Sequence, residues 1–197
     1  MECFLDYVIL HSNINYMKKL LIIVAALAFL GSCKTAVKGK NGVEYHNATE
    51  YNQYIVERQQ KIMEYVLKMV DDFKIGNYEG ASHIIDECIP AIDKAASEVE
   101  GMPAWKDDTE LRDNMLNLFK FYKKAFGTDY KRMIEIKKQS TPPTPDEQRE
   151  LEEMVNRITT EENTLDRKFR NSQTEFANKN NMKILENDLQ KKIDKMK

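Results

Sequence analysis

Residues 144–176, TPDEQRELEEMVNRITTEENTLDRKFRNSQTEF, carry the pattern that decides the fold. Thr144 stands where a helix cap belongs, Pro145 takes the first helical position, where a missing N–H costs nothing, and Glu147 completes a capping box. From there Leu151, Val155, Ile158, Glu162, Leu165, Phe169, Ser172 and Phe176 recur at alternating steps of four and three, which lines them along one face of an α-helix. Ser140-Thr141-Pro142-Pro143, just upstream, is the clearest break in this half of the chain.

Three further helices are expected N-terminal to that break. One runs from about Asp108 to Lys138, with Leu111, Met115, Leu118, Phe119, Tyr122, Phe126, Tyr130, Met133 and Ile134 on one side. Gly127 inside it costs about 1 kcal/mol relative to alanine, which a long packed helix absorbs. Before a loop holding Trp105 and the stop Gly101-Met102-Pro103 lies a second row, Tyr78, Ala81, Ile85, Cys88, Ile92, Ala95 and Val99, with Pro90 inside it as a kink or a break. The first helix opens at Asn47, with Glu50 three residues on as its capping partner. It carries Tyr51, Ile55, Ile62, Val66, Met69 and Phe73, and stops at Gly76. Asn47-Ala48-Thr49 also matches a glycosylation sequon, but capping is the reading adopted. Long amphipathic helices joined by short connections favour antiparallel neighbours, so the expected fold is all-α, an up-down-up-down four-helix bundle over residues 47–177. Asn178 to Asn181 interrupts the pattern, and residues 178–197 are expected to extend the last helix or fray.

The N-terminal part reads differently. Met17-Lys18-Lys19 precedes eleven apolar residues, Leu20 to Leu30, followed by Gly31-Ser32-Cys33. A bilayer core needs roughly 20 apolar residues, so this run is a secretory signal peptide and not a span. Residues 1–16 suit such a signal badly, because Glu2 and Asp6 are acidic where a positive start is expected; Met17 is read as the initiator and 1–16 as an upstream extension. Small residues directly before a cysteine resemble the lipobox of bacterial lipoproteins. That resemblance implies cleavage after residue 32 and a lipid, palmitate included, on Cys33. Lys34 to His46 has two glycines and no periodicity, so residues 33–46 are expected to be a lipidated cysteine and a flexible tether.

Composition narrows the function classes. The chain of 197 residues has 30 Lys+Arg against 32 Asp+Glu, 7 Gly and 5 Pro, with a net charge of −2. Removing residues 1–32 takes away two lysines, Glu2 and Asp6, so the balance survives. Nothing in it points to nucleic acid. With Cys33 modified, Cys88 has no partner downstream for a disulfide, and the fold must stand on packing.

Candidate site residues are few. Arg58 and Glu162 interrupt core rows at mid-helix heights that an antiparallel arrangement would match, so they either meet as a buried ion pair or each reach for the surface. Phe121 lies off the main row of the aromatic stretch 119–130 and marks either core or a ligand or partner patch. A di-metal bundle site would need Glu-x-x-His pairs, which are missing; His83 stands between Glu79 and Glu87 at ion-pair spacing, and no metal or other cofactor is expected. Cys88 sits on an apolar row as a buried, inert thiol. There is no phosphate loop, Gly-x-Ser-x-Gly or His-Glu-x-x-His, so no catalytic activity is expected.

Gly76-Asn77-Tyr78-Glu79-Gly80-Ala81 looks like the turn into the second helix of a tetratricopeptide repeat, but with no second copy it implies a helical hairpin and no array. The stretches Tyr51 to Gln59 and Phe119 to Lys131 resemble those of small helical bacterial surface lipoproteins of unassigned activity. The resemblance implies a lipid-anchored binding or structural module of the cell envelope, at the outer membrane, whose partners are the membrane and an envelope protein or ligand. A carrier of a small ligand or metal, with its site inside the bundle, is the alternative.

Overall fold

The protein is described by a computed structural model covering residues 36–140 and 142–183, with the backbone of 22–23 and 185–186. The upstream extension, the remainder of the signal, Cys33 and the chain after 186 lie outside the described residues. Two short antiparallel ladders are present: β1 (Ile22–Ile23) with β4 (Leu185–Glu186), and β2 (Val37–Lys38) with β3 (Glu44–Tyr45). The helices are α1 (Ala48–Lys74), α2 (Tyr78–Glu100), α3 (Glu110–Ala125), a π-helical turn (Phe126–Tyr130), α4 (Lys131–Gln139) and α5 (Pro145–Lys179). Because α3, the π turn and α4 follow one another without a loop, they form one leg, and the protein is an all-α four-helix arrangement.

Local chemistry sets the helix ends. The Asn47 side chain accepts from the backbone N–H of Glu50 at 2.9 Å, and the Glu50 carboxylate accepts from the N–H of His46 at 2.9 Å. Such a cap contributes about 1 kcal/mol. At the other end Gly76 takes φ +71°, with Gly76 N–H donating to Phe73 O and Asn77 N–H to Asp72 O, the paired bonds of a Schellman motif. Asn77 then caps α2 through the N–H of Gly80 at 3.1 Å. Thr144 and Glu147 form the expected capping box, and Pro145 is the first residue of α5. Pro90 neither ends nor interrupts α2, which continues to Glu100; its ring is on the exposed side.

Ion pairs between the helices report their register. Lys138–Glu79 at 2.8 Å, Lys131–Asp86 at 2.8 Å and Lys123–Asp93 at 2.6 Å run up the α2 seam, descending on one leg as they ascend on the other. Arg132–Glu150 and Arg157–Asp129 do the same between the third leg and α5. Asn52 with Gln173, and Tyr51 stacked on Phe176 at 5.6 Å, set α1 antiparallel to α5. The expected up-down-up-down order follows. One continuous core fills the middle, and the rows of α1, α2, the third leg and α5 supply it.

The segment expected to be a flexible tether is instead a docked hairpin from residue 36 onward. Asn41 holds it: its side-chain amide donates to Tyr45 Oη at 2.7 Å and to Glu98 O at 3.0 Å, its Oδ1 accepts from Val43 N, and its own N–H donates to Gly101 O. Gly101 permits this approach, since a Cβ there would lie 2.9 Å from the Asn41 backbone nitrogen. Tyr45 is 1% exposed, edge-on to Tyr51 and Tyr54. The composition of 34–46 hides this because one tyrosine and one asparagine do the anchoring, too few to make a periodic signal. Asn41→Ala is expected to lower stability by about 2 kcal/mol, from the loss of three half-buried side-chain hydrogen bonds, and to raise amide exchange over residues 37–45 more than elsewhere. Uniform exchange across the domain would contradict it.

Candidate functional site

The expected meeting of Arg58 with Glu162 does not occur. Arg58 lies at the α1/α2 seam, where its Nε donates to Glu98 at 2.9 Å, its Nη1 to Tyr54 O at 3.3 Å and to Glu57 at 3.2 Å, and its guanidinium covers the Tyr54 ring at 3.3 Å. Glu162 is buried on the opposite side of the core and accepts from the Tyr122 hydroxyl at 3.3 Å. The α1 face that enters the core carries Asn52, Ile55, Gln59, Ile62, Val66 and Met69, so Arg58 falls on its edge and not in its centre. Phe121 is also corrected as a surface marker: it is 5% exposed and tilted against Tyr122 at 5.4 Å, because a leg packed on both α2 and α5 buries a wider arc than one row.

Around Glu162 the interior is polar. Tyr122 comes from α3, Tyr130 from the π turn, and Asp166 one turn along α5, paired with Arg170 at 2.7 Å. Burial, with Asp166 as a second negative charge, pushes the Glu162 carboxyl up to about 7. Burial likewise drives both tyrosine hydroxyls above their usual range. Asn52 and Gln173 extend this polar zone toward α1 with a 3.0 Å side-chain bond, leaving Asn52 Nδ2 and Gln173 Oε1 without hydrogen bonds. The cluster buries Glu162, Asp166 and Tyr122 and half-buries Tyr130. Its physical consequence is a stability that depends on proton concentration.

Cys88 is buried, and desolvation raises its thiol to about 12, so it is protonated and inert at neutral pH. His83 pairs with Glu87 at 3.3 Å on the surface. In the acidic bowl beside Asp107, Asp108 and Asp113, Asp108 is bonded to Lys179 and Asp113 to Arg112. Among the described residues no cluster of three or more His, Cys, Asp or Glu is placed to hold a metal ion.

The concavity with binding chemistry lies between α1 and α2. It is an open groove of about 340 Å³. Its floor is Ile62, Ala91 and Ala95, one wall is the half-buried Tyr65 ring, and the Arg58–Glu98 pair closes one end. Lys61, Lys68 and Lys94 stand on its rim with Glu64. The groove escaped sequence reading because its defining feature is small side chains, Ala91 and Ala95, which also read as ordinary helix formers. Spacing alone could have found it: Ala91 and Ala95 lie on the side of α2 that also carries Lys94 and Glu98.

Among the described residues no helix is long and apolar enough to cross a membrane. No family model, curated protein or solved structure matches the chain.

Proposed function

We propose that the chain is a lipid-anchored helical binding and structural module of a bacterial cell envelope, attached at the outer membrane through Cys33. The observation that carries this reading is the order Lys18-Lys19, an eleven-residue apolar run, then Gly31-Ser32-Cys33. The packed interior supports a role played through the outside of the bundle, and the α1/α2 groove supports binding. Residues 34 and 35 alone separate Cys33 from the docked hairpin, so Cys33 is within about 11 Å of Ala36 along the chain. On this reading the hairpin end, with the α2–α3 loop and Trp105, faces the bilayer at short range. The α1–α2 turn at Ile75 then lies about 40 Å away, the length of α1.

Cells fed a palmitate analogue are expected to label the protein, and Cys33→Ala to abolish the label. In phosphatidylcholine vesicles bearing a headgroup nitroxide, emission of Trp105, the chain's single tryptophan, is expected to be quenched by the lipid. A fluorophore on Ile75→Cys, at a position 77% exposed, is expected to be spared. Label retained in Cys33→Ala overturns the anchor. Quenching at Ile75 equal to that at Trp105 overturns the end-on orientation and leaves the anchor standing.

A further inference from the structure

From the charge pattern of the helix seams we infer that the α1/α2 groove is a binding site for a small organic anion carrying a flat apolar group. The two seams of the third leg, with α2 and with α5, are closed by complementary charges. Asp86 and Asp93 of α2 each take a lysine from the third leg, while Asp129 and Glu150 take arginines across the α5 seam. At the α1/α2 seam the one cross-helix pair is Arg58 with Glu98, and it uses up that carboxylate. Lys61, Lys68 and Lys94 are left around the groove with Glu64 as the remaining anion. Among the described residues no ion pair engages any of the three lysines; Lys68 makes a loose contact with the Tyr65 ring, its Nζ 5.8 Å from the centroid. Four cations against two carboxylates, one of them already paired with Arg58, leave the rim with net positive charge, and an anion lying between the lysines relieves it.

The shape selects the rest of the ligand. Ala91 and Ala95 are one turn apart and short, so the space that larger side chains would fill stays open above Ile62. A volume of about 340 Å³ is within the range that takes small molecules. The floor is apolar and Tyr65 offers a ring face, which suits an aromatic or planar alicyclic body. Exposed lysines each contribute little in water. Affinity therefore requires charge and apolar contact together, and neither a bare anion nor a neutral ring satisfies the site. Arg58, fixed by its contacts to Glu98 and the Tyr54 ring, is a rigid end wall and not a mobile counter-ion. This site is independent of the lipid anchor.

The test uses the full chain in a neutral detergent, with phenyl phosphate as probe and inorganic phosphate and phenol as its two halves, followed by ligand-observed NMR titration. Phenyl phosphate is expected to bind at least about tenfold more tightly than either half, and added salt to weaken it. Lys61→Gln with Lys94→Gln is expected to reduce binding about tenfold or more, as is Ala91→Leu, which fills the half-buried floor from outside the core. Lys120→Gln, an exposed lysine on α3, is expected to leave it unchanged. The lysine pair alone decides the matter if Ala91→Leu fails to fold. Inorganic phosphate binding as well as phenyl phosphate, the lysine variant binding like the wild type, or no binding of phenyl phosphate would each overturn the proposal.

Discussion

Glu162→Gln is expected to make the protein more stable at pH 8, by about 3 kcal/mol, and to leave it nearly unchanged at pH 4. The carboxyl has a folded-state value of about 7 against an ordinary value of 4.5, burial being the larger cause and the Asp166 charge the second. A carboxyl whose value is raised by folding binds its proton more tightly in the native state. Below the ordinary value both states are protonated and nothing is lost. Between pH 4.5 and 7 the unfolded chain ionises while the native one does not, so stability falls as pH rises. Above 7 the loss is complete, because the native state then holds a buried, ionised carboxylate beside the Asp166 charge on its own helix, a cost that the hydrogen bond from the Tyr122 hydroxyl only partly offsets. Glutamine keeps an acceptor for the Tyr122 hydroxyl and carries no charge. The exposed carboxylates Asp86 and Glu147 act in the opposite sense, since their partners lower them and their contribution is lost as pH falls below the ordinary carboxylate range. The measurement is therefore the difference between variant and wild type in urea unfolding across pH 4 to 8. A difference that stays flat over that span would mean Glu162 titrates as a solvated side chain.

The same residue shows which parts of the structure were legible. Thr144, Asn47 and Gly76 act through their own backbone neighbourhood, so their roles could be read without knowing what packs where. The 4-3 row of α5 was legible too, with Glu162 placed in the core by spacing alone. Its partner was not legible, because the α1 core face contains Asn52 and Gln59, both fully buried amides. Polar side chains at core positions shift the apparent centre of an apolar row, and Arg58 looked central as a result. Phe121 failed for a related reason, since a helix with neighbours on two sides has no single inward direction. The π turn left a faint trace: Tyr122, Phe126 and Tyr130 are spaced by four. In a regular α-helix that spacing drifts by about 40° per step. The wider i→i+5 turn spans the second step, where the Phe126 and Tyr130 rings lie 5.1 Å apart, against 6.3 Å for Tyr122 and Phe126 in the α-helical turn before it. The hairpin was invisible because Asn41 and Glu98, which anchor it, are 57 residues apart, and the groove showed only as the small-residue side of α2, its other wall belonging to α1.

Phe176→Ala is expected to cost about 4 kcal/mol, within the usual range for a buried phenylalanine, and to unlock the hairpin end of the bundle. Phe176 is 3% exposed near the end of α5, stacked on Tyr51 and edge-on to Trp105 at 6.5 Å. Those two rings belong to α1 and to the α2–α3 loop, so one side chain closes three segments that share no local sequence. Tyr51 adds a 2.9 Å bond from its hydroxyl to Pro103 O, and Trp105 donates through Nε1 to Asn180 at 3.1 Å. Both bonds require the rings to stay where Phe176 holds them. Truncation therefore removes transfer free energy, opens a cavity, and loosens two half-buried hydrogen bonds. Phe169, about two turns earlier on the same helix and 1% exposed, is the comparison. Alanine at either position should lower the urea midpoint. Only Phe176→Ala should also shift Trp105 emission to longer wavelength in the folded state, at urea concentrations where helix content is intact. An unshifted Trp105 in a destabilised Phe176→Ala would show that the aromatic layer is held by the loop itself, and that α5 closes the bundle without fixing the end that carries the hairpin.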